Sequence, residues 1–271
     1  MGTKLGQVFL HDTNILAKII ESAQLNSEIH SVEIGCGDGI LTQALLAHSR
    51  QVTVFEIDET CIDKTRQRIG TPEPLTFIHG DFLDTAPTLS ELVGPLIVVA
   101  NVPYYITSPI IKTLISYINQ IERIILMVQK EFAEKLIAPP GSSLYTSFSV
   151  YARAHFAIDK LFNVSRTCFY PIPNVDSAVI RLRPNPISIP GDRTLFFAMV
   201  HSGFWGRRKP FLSALRKSPF ITVDARIKSC PFFVANPSIR AETLSLDEFI
   251  QIFDQINSLI TLSNTSAVLP H

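Results

Sequence analysis

Apolar and polar positions divide this 271-residue chain into two parts: short apolar runs alternating with amphipathic stretches, then a final third without strong strand signals. Residues 12–25 predict a helix, because Ile15, Leu16, Ile19 and Ile20 share one stripe and Asp12 or Thr13 offers an N-cap oxygen. Ser31–Ile34 predicts a strand, followed by a glycine-rich turn and a helix near Leu41–His48. Gln51–Ile57, a helix near Glu59–Ile69, and Leu75–His79 continue the alternation. Leu96–Ala100 is apolar throughout, as expected of a central strand buried on both faces. A helix over 109–119, a strand over Arg123–Val128 and a helix over 129–137 follow. Strand–helix alternation of this kind predicts an α/β chain with a Rossmann-like, doubly wound parallel sheet. Ser147–Phe156 and Ala178–Leu182 predict two further strands, an antiparallel pair at the sheet edge. The stretch from Pro184 to Gly191 breaks regular structure and predicts a linker, and residues 192–260 read as helical. The expected division is a sheet domain over 1–185 and a small all-α domain over 186–271.

Charge changes this picture only locally. The whole chain is neutral, but residues 1–180 hold 13 Lys and Arg against 18 Asp and Glu, whereas residues 181–271 hold 11 against 6. From Arg193 to Val223 there are six basic residues, including Arg207, Arg208 and Lys209, and no acidic one. A polyanion responds to that local field, although a solvated basic helix face gives the same count. No uncharged apolar run reaches 18 residues, so no membrane span is expected. Met1-Gly2-Thr3-Lys4 lacks the apolar run of a secretory signal, and four scattered cysteines with no CxxC spacing argue against a metal or disulfide framework. The histidines show no metal-ligand spacing. The expectation is a cytoplasmic, reduced protein.

Candidate chemistry begins at Gly35-Cys36-Gly37-Asp38-Gly39, which ends a strand and opens a helix. Glycines permit a sharp turn and close ligand approach. Glu56 closes the next strand, where a carboxylate can bind both ribose hydroxyls, with Ile57 beside it. Asp81 and Phe82 follow the third strand, placed to meet an adenine amine and ring. Ile40 removes the third glycine of a dinucleotide turn, and there is no Gly-Lys-Ser/Thr end of a P-loop. The remaining ligand class is a nucleoside without pyrophosphate, which S-adenosylmethionine fits. Asp38 is left open between facing that ligand's amino group and a local role.

Asn101-Val102-Pro103-Tyr104 follows the buried fourth strand, at the strand end where open α/β sheets bind ligands. An adenine amine is a poor nucleophile because its lone pair is delocalised into the ring. The Asn101 amide oxygen and the Val102 carbonyl are acceptors that can localise that lone pair and stabilise positive charge developing on nitrogen. Pro103 stiffens the loop, and Tyr104 offers a ring for the base.

These residues resemble the KsgA family of ribosomal RNA adenine dimethyltransferases over roughly residues 3–217. The likeness begins at Gly6-Gln7-Val8-Phe9-Leu10 and includes the glycine turn, Glu56, Asp81 and the tetrad. It continues through Met127–Glu131, Pro140-Gly141-Ser142, Phe169–Val179 and the Phe204–Lys209 segment. The resemblance implies that Gln7, Val8, Leu10, Gly35, Gly37, Glu56, Ile57, Asp81, Phe82 and Asn101 hold S-adenosylmethionine. It implies that Asn101, Pro103, Tyr104 and Phe169 handle the adenine, Phe169 stacking on the far side of the base. Arg207, Arg208 and Lys209 would contact RNA phosphate, a structural salt-bridge role for them remaining open. The implied reaction is dimethylation of two adjacent adenosines in a hairpin near the 3′ end of small-subunit rRNA, by a monomer acting on the 30S precursor without metal or membrane. Val8, Thr146, Pro210 and Ser213 depart from the family pattern, and the last two bear on the RNA-facing helix. The alternatives are an Erm-type large-subunit adenine methyltransferase, a non-catalytic RNA-binding assembly factor on the same scaffold, and a DNA adenine methyltransferase, which would need a target-recognition domain.

Overall fold

The computed structural model describes residues 8–263, which fall into two compact units. The first runs to Ala133 and resumes over Ala157–Pro184; the second contains Glu134–Phe156 and the chain from Asn185 onward. Residues 134–156, expected with the sheet, therefore pack with the C-terminal unit.

The chain order is β1 (Phe9–Leu10), α1 (Thr13–Ala23), β2 (His30–Ile34), α2 (Ile40–Leu46), β3 (Gln51–Glu56), α3 (Glu59–Ile69), β4 (Leu75–His79), α4 (Phe82–Thr85), β5 (Leu96–Asn101), α5 (Thr107–Ile115), β6 (Ile121–Gln129) and α6 (Lys130–Ile137). It continues with α7 (Ser147–Arg153), β7 (Phe156–Val164), β8 (Phe169–Tyr170) and β9 (Ser177–Pro184). The seven-stranded sheet has the order β4-β3-β2-β5-β6-β9-β7. The pairings from β4 to β6 are parallel, and β9 joins β6 antiparallel. The apolar run Leu96–Ala100 sits centrally as β5, buried along its length and hydrogen-bonded on both sides. Alternation of apolar strands and amphipathic helices thus closes one core, in which Ile19 and Ala23 of α1 join Val52, Val54, Val99 and Ile125.

One expected strand fails and another strand was not foreseen, each for a physical reason. Ser147–Phe156 is not a strand: Thr146 caps α7, its hydroxyl accepting from the Ser149 amide while the Ser149 hydroxyl accepts from the Thr146 amide. Residues 147–152 are all buried, so the helix shows no polar face that periodicity could detect. The missed strand is β7, a sheet-edge strand whose Asp159, Lys160 and Asn163 dilute the apolar signal.

The second unit adds α8 (Arg193–Trp205), α9 (Phe211–Lys217), β10 (Ile221–Val223), α10 (Pro231–Ala235), α11 (Leu246–Ile256) and β11 (Ile260–Leu262). It is helical, as the pattern predicts, with one short antiparallel ribbon of β10 and β11. The segment expected as a linker is anchored: the Asn185 and Ile187 amides donate to the carbonyls of His155 and Ala154.

Candidate active site

The C-terminal ends of β2, β3 and β5, with the turn after β4, surround a cavity of about 200 Å³. Its position follows the strand-end rule for open α/β sheets. Gly35 and Gly37 both adopt positive φ, 81° and 58°, so the turn after β2 takes a path that side chains disfavour. A Cβ on Gly37 would also lie 3.1 Å from the Phe9 ring, which forms another part of the wall.

Glu56 is buried at the end of β3 with a fixed carboxylate: Oε2 accepts from the Cys36 amide at 2.9 Å and Oε1 from the Asp58 amide at 2.9 Å. It therefore ties the glycine turn to β3 while lining the cavity, and a carboxylate retains lone pairs for hydroxyl donors. Asp81 caps α4 by accepting from the Leu83 amide, which fixes it on the wall. Phe82 beside it is buried, edge-on to Phe55 with ring centroids 5.2 Å apart. Val8, Leu10 and Ile57 also line the cavity; Gln7 lies outside the described residues. Asp38 lines the cavity and pairs with Arg68 at 3.2 Å.

The tetrad meets this site directly. β2 and β5 are adjacent with Ile34 opposite Ala100, so the glycine turn and Asn101 emerge side by side. Asn101, Val102, Pro103 and Tyr104 all line the cavity. The Asn101 side-chain amide makes no hydrogen bond among the described residues. Tyr104 is held by its hydroxyl, 2.9 Å from the Ser177 hydroxyl.

Phe169 does not join them. It is 1% exposed, pairs across from Leu10 in the β1–β8 ribbon and belongs to the hydrophobic core. The aromatic side chain that this segment exposes is Tyr170. Arg207 is likewise engaged: Nε donates to Glu242 at 2.6 Å and Nη2 donates to the carbonyls of Ser142 and Ser143. Arg208 is exposed, and the exposed Lys209 ammonium lies 5.6 Å from the Trp205 ring centre.

Sequence reasoning missed Glu33. Burial pushes its carboxyl up to about 8, with the Thr42 hydroxyl bond at 2.6 Å opposing and the Glu56 charge adding to the rise. Its Oε1 is buried without a hydrogen-bond partner on the cavity wall. A strand-interior glutamate carries no spacing signal, so only the fold reveals it. Burial also pushes the Cys36 thiol well above its ordinary range, so it lines the site as a neutral group. The orphaned Glu33 oxygen, the anchored Glu56 carboxylate and the apolar wall of Phe9, Ile57 and Phe82 fit a nucleoside carrying a cationic tail.

The profile described as Ribosomal RNA adenine dimethylase matches residues 1–258. Ribosomal RNA small subunit methyltransferase A of Lactiplantibacillus plantarum is 36% identical over 264 residues, covering 93% of this chain and 89% of that protein. The protein of the same name from Lactococcus lactis is 36% identical over 265 residues, with the same coverages. A dimethyladenosine transferase from Plasmodium falciparum superposes with a TM-score of 0.74 at 26% identity, over 92% of this chain and 98% of that one. The 23S rRNA methyltransferase ErmE does so with a TM-score of 0.70 at 26% identity, over 92% and 99%. With the tetrad loop and the glycine turn sharing one cavity, and with likeness along nearly its whole length, this chain belongs to the ribosomal RNA adenine dimethylase family.

Proposed function

We propose that this chain dimethylates the N6 amines of two adjacent adenosines in a hairpin near the 3′ end of small-subunit (16S) rRNA, using S-adenosylmethionine. The observation that carries the proposal is the shared cavity: Asn101–Tyr104 opens onto the same space as the glycine turn, Glu56 and Asp81. The sulfonium of the bound donor supplies an activated methyl group. Glu56 holds the ribose hydroxyls, Asp81 meets the adenine amine of the donor, and Phe82 and Ile57 bound its ring. The Asn101 oxygen and the Val102 carbonyl accept from the target amine, localising its lone pair and opposing the charge that develops on nitrogen. Tyr104, moored through its hydroxyl, presents a fixed ring to the target base, which must leave its stack to arrive. In the second unit, Arg208 and Lys209 contact phosphate and supply salt-sensitive affinity. The same reading has a monomer working on 30S precursors in the cytoplasm.

The decisive experiment offers labelled donor and this protein to small subunits from an undermethylated strain. Dimethyladenosine detected by mass spectrometry supports the proposal. Transfer only to large-subunit RNA moves it to the Erm type, and RNA binding without transfer moves it to a non-catalytic assembly factor.

A further inference from the structure

The cavity wall contains one large aromatic ring that neither the core nor the proposed chemistry uses. Tyr105 lines the cavity yet is 70% exposed, and it makes no hydrogen bond or ring contact among the described residues. Its backbone is nevertheless held on both sides. The Ile106 amide donates to the Pro103 carbonyl, and the Thr107 hydroxyl donates to the Tyr104 carbonyl at 3.1 Å. A ring on a fixed turn at a cavity mouth is a surface on which something planar can settle at low entropic cost.

We infer that Tyr105 is a substrate-positioning residue that stacks on the base neighbouring the target adenosine. The inference rests on the proposed function and deepens it. When one adenosine turns into the cavity, it leaves its neighbour's stack, and that neighbour loses a face. Tyr104 and Tyr105 are consecutive and both line the cavity, which puts the Tyr105 ring beside the place assigned to the target base. Tyr105 meets the displaced face and keeps the second adenosine next in line, which is what a reaction on two adjacent adenosines requires. The hydroxyl has no assigned task, so the ring alone carries the effect.

The test compares wild type, Tyr105→Ala and Tyr105→Phe on a hairpin RNA, with a second RNA carrying 2-aminopurine at the adenosine beside the target. Tyr105 is exposed, so equal melting temperatures are expected and are checked first. The expected result for Tyr105→Ala is a KM for RNA raised about tenfold or more, with kcat at saturating RNA and donor affinity unchanged, as follows from losing one stacked base. The 2-aminopurine emission, quenched in the wild-type complex, should recover in Tyr105→Ala and stay quenched in Tyr105→Phe. A KM within twofold of wild type, or an equal loss in Tyr105→Phe, overturns the inference while leaving the proposed function intact. Absence of RNA methylation by the wild-type protein overturns the proposed function itself and this inference with it.

Discussion

The Tyr104 hydroxyl lies 2.9 Å from the Ser177 hydroxyl, joining the tetrad loop to the first residue of β9. Ser177 is buried and opposite Gln129 of β6, so the anchor belongs to the rigid sheet rather than to a loop. Tyr104→Phe keeps the ring and removes the mooring, and Ser177→Ala removes it from the other end. One such bond is worth about 0.5–1.5 kcal/mol net, which is about two- to tenfold in rate if expressed in transfer. Single-turnover methyl transfer should fall by that amount in each variant, and the double variant should be no slower than the slower single. Additive losses would show that the two hydroxyls act separately.

Glu33 predicts an inverse dependence of stability on pH. Its folded carboxyl, pushed up to about 8 by burial, holds a proton that the unfolded chain gives up near its ordinary value of 4.5. Between those pH values the folded state binds more protons, so stability falls as pH rises and levels off above about pH 8. Glu33→Gln keeps a hydrogen-bonding side chain at the Thr42 contact and removes the titration. Its melting temperature should therefore decline less than the wild type's between pH 5 and 8, at about 2–4 °C per kcal/mol for a chain of this size. Parallel declines would sink the assignment.

Asn101→Ala removes the side-chain amide acceptor of the tetrad while leaving the β5 backbone in place. Loss of one preorganised polar contact to developing charge costs on the order of 10²–10³ in kcat. Transfer should fall to that extent with RNA affinity and melting temperature retained. Retained activity would remove the side chain from the chemistry and leave the Val102 carbonyl as the acceptor.

Much of the site could be read before folding because its parts are local: glycines in a turn, a carboxylate at a strand end, and a tetrad after an apolar strand. The structure brings Gly35, Glu56, Asp81 and Asn101 to one cavity because parallel strands place their C-terminal ends together. What could not be read is three-dimensional. Phe169 carries the same aromatic signal whether it faces a base or the core, and only the folded chain shows it buried in the core cluster. Glu33 looks like any strand residue until β2 is flanked by β3 and β5. α7, buried over 147–152, escapes periodicity for the same reason, since a helix with almost no wet face has no stripe.

Gly203 separates stability from chemistry. A Cβ there would lie 2.6 Å from the Ala241 Cβ and 2.7 Å from the Phe211 ring, closer than packed atoms tolerate. Gly203→Ala should destabilise the second unit by ~1–3 kcal/mol, seen as a lowered melting temperature or denaturant midpoint. Donor binding, proposed for residues of the first unit, should be unchanged below the transition. A loss of donor affinity in the folded protein would contradict this separation.

The basic run divides by what each residue already holds. Arg207 donates to Glu242 and to the carbonyls of Ser142 and Ser143, so its charge is spent on joining α8, the chain after α6 and the segment before α11. Arg207→Ala leaves the Glu242 carboxylate and two carbonyls without their donor, and the cost should register as destabilisation. Partial exposure of the pair limits the ionic part to about 1 kcal/mol or less, so the lost carbonyl bonds carry most of it. Arg208 and Lys209 are exposed, and neither has an ion-pair partner among the described residues. Arg208→Ala and Lys209→Ala should leave melting unchanged and weaken RNA binding, each reducing the slope of log affinity against log salt by about 1. Arg207→Ala should change that slope little once measured well below its melting temperature. If instead Arg207→Ala flattens the salt dependence as much as its two neighbours do, the Glu242 contact gives way to phosphate on binding, and the helix start engages RNA with all three charges.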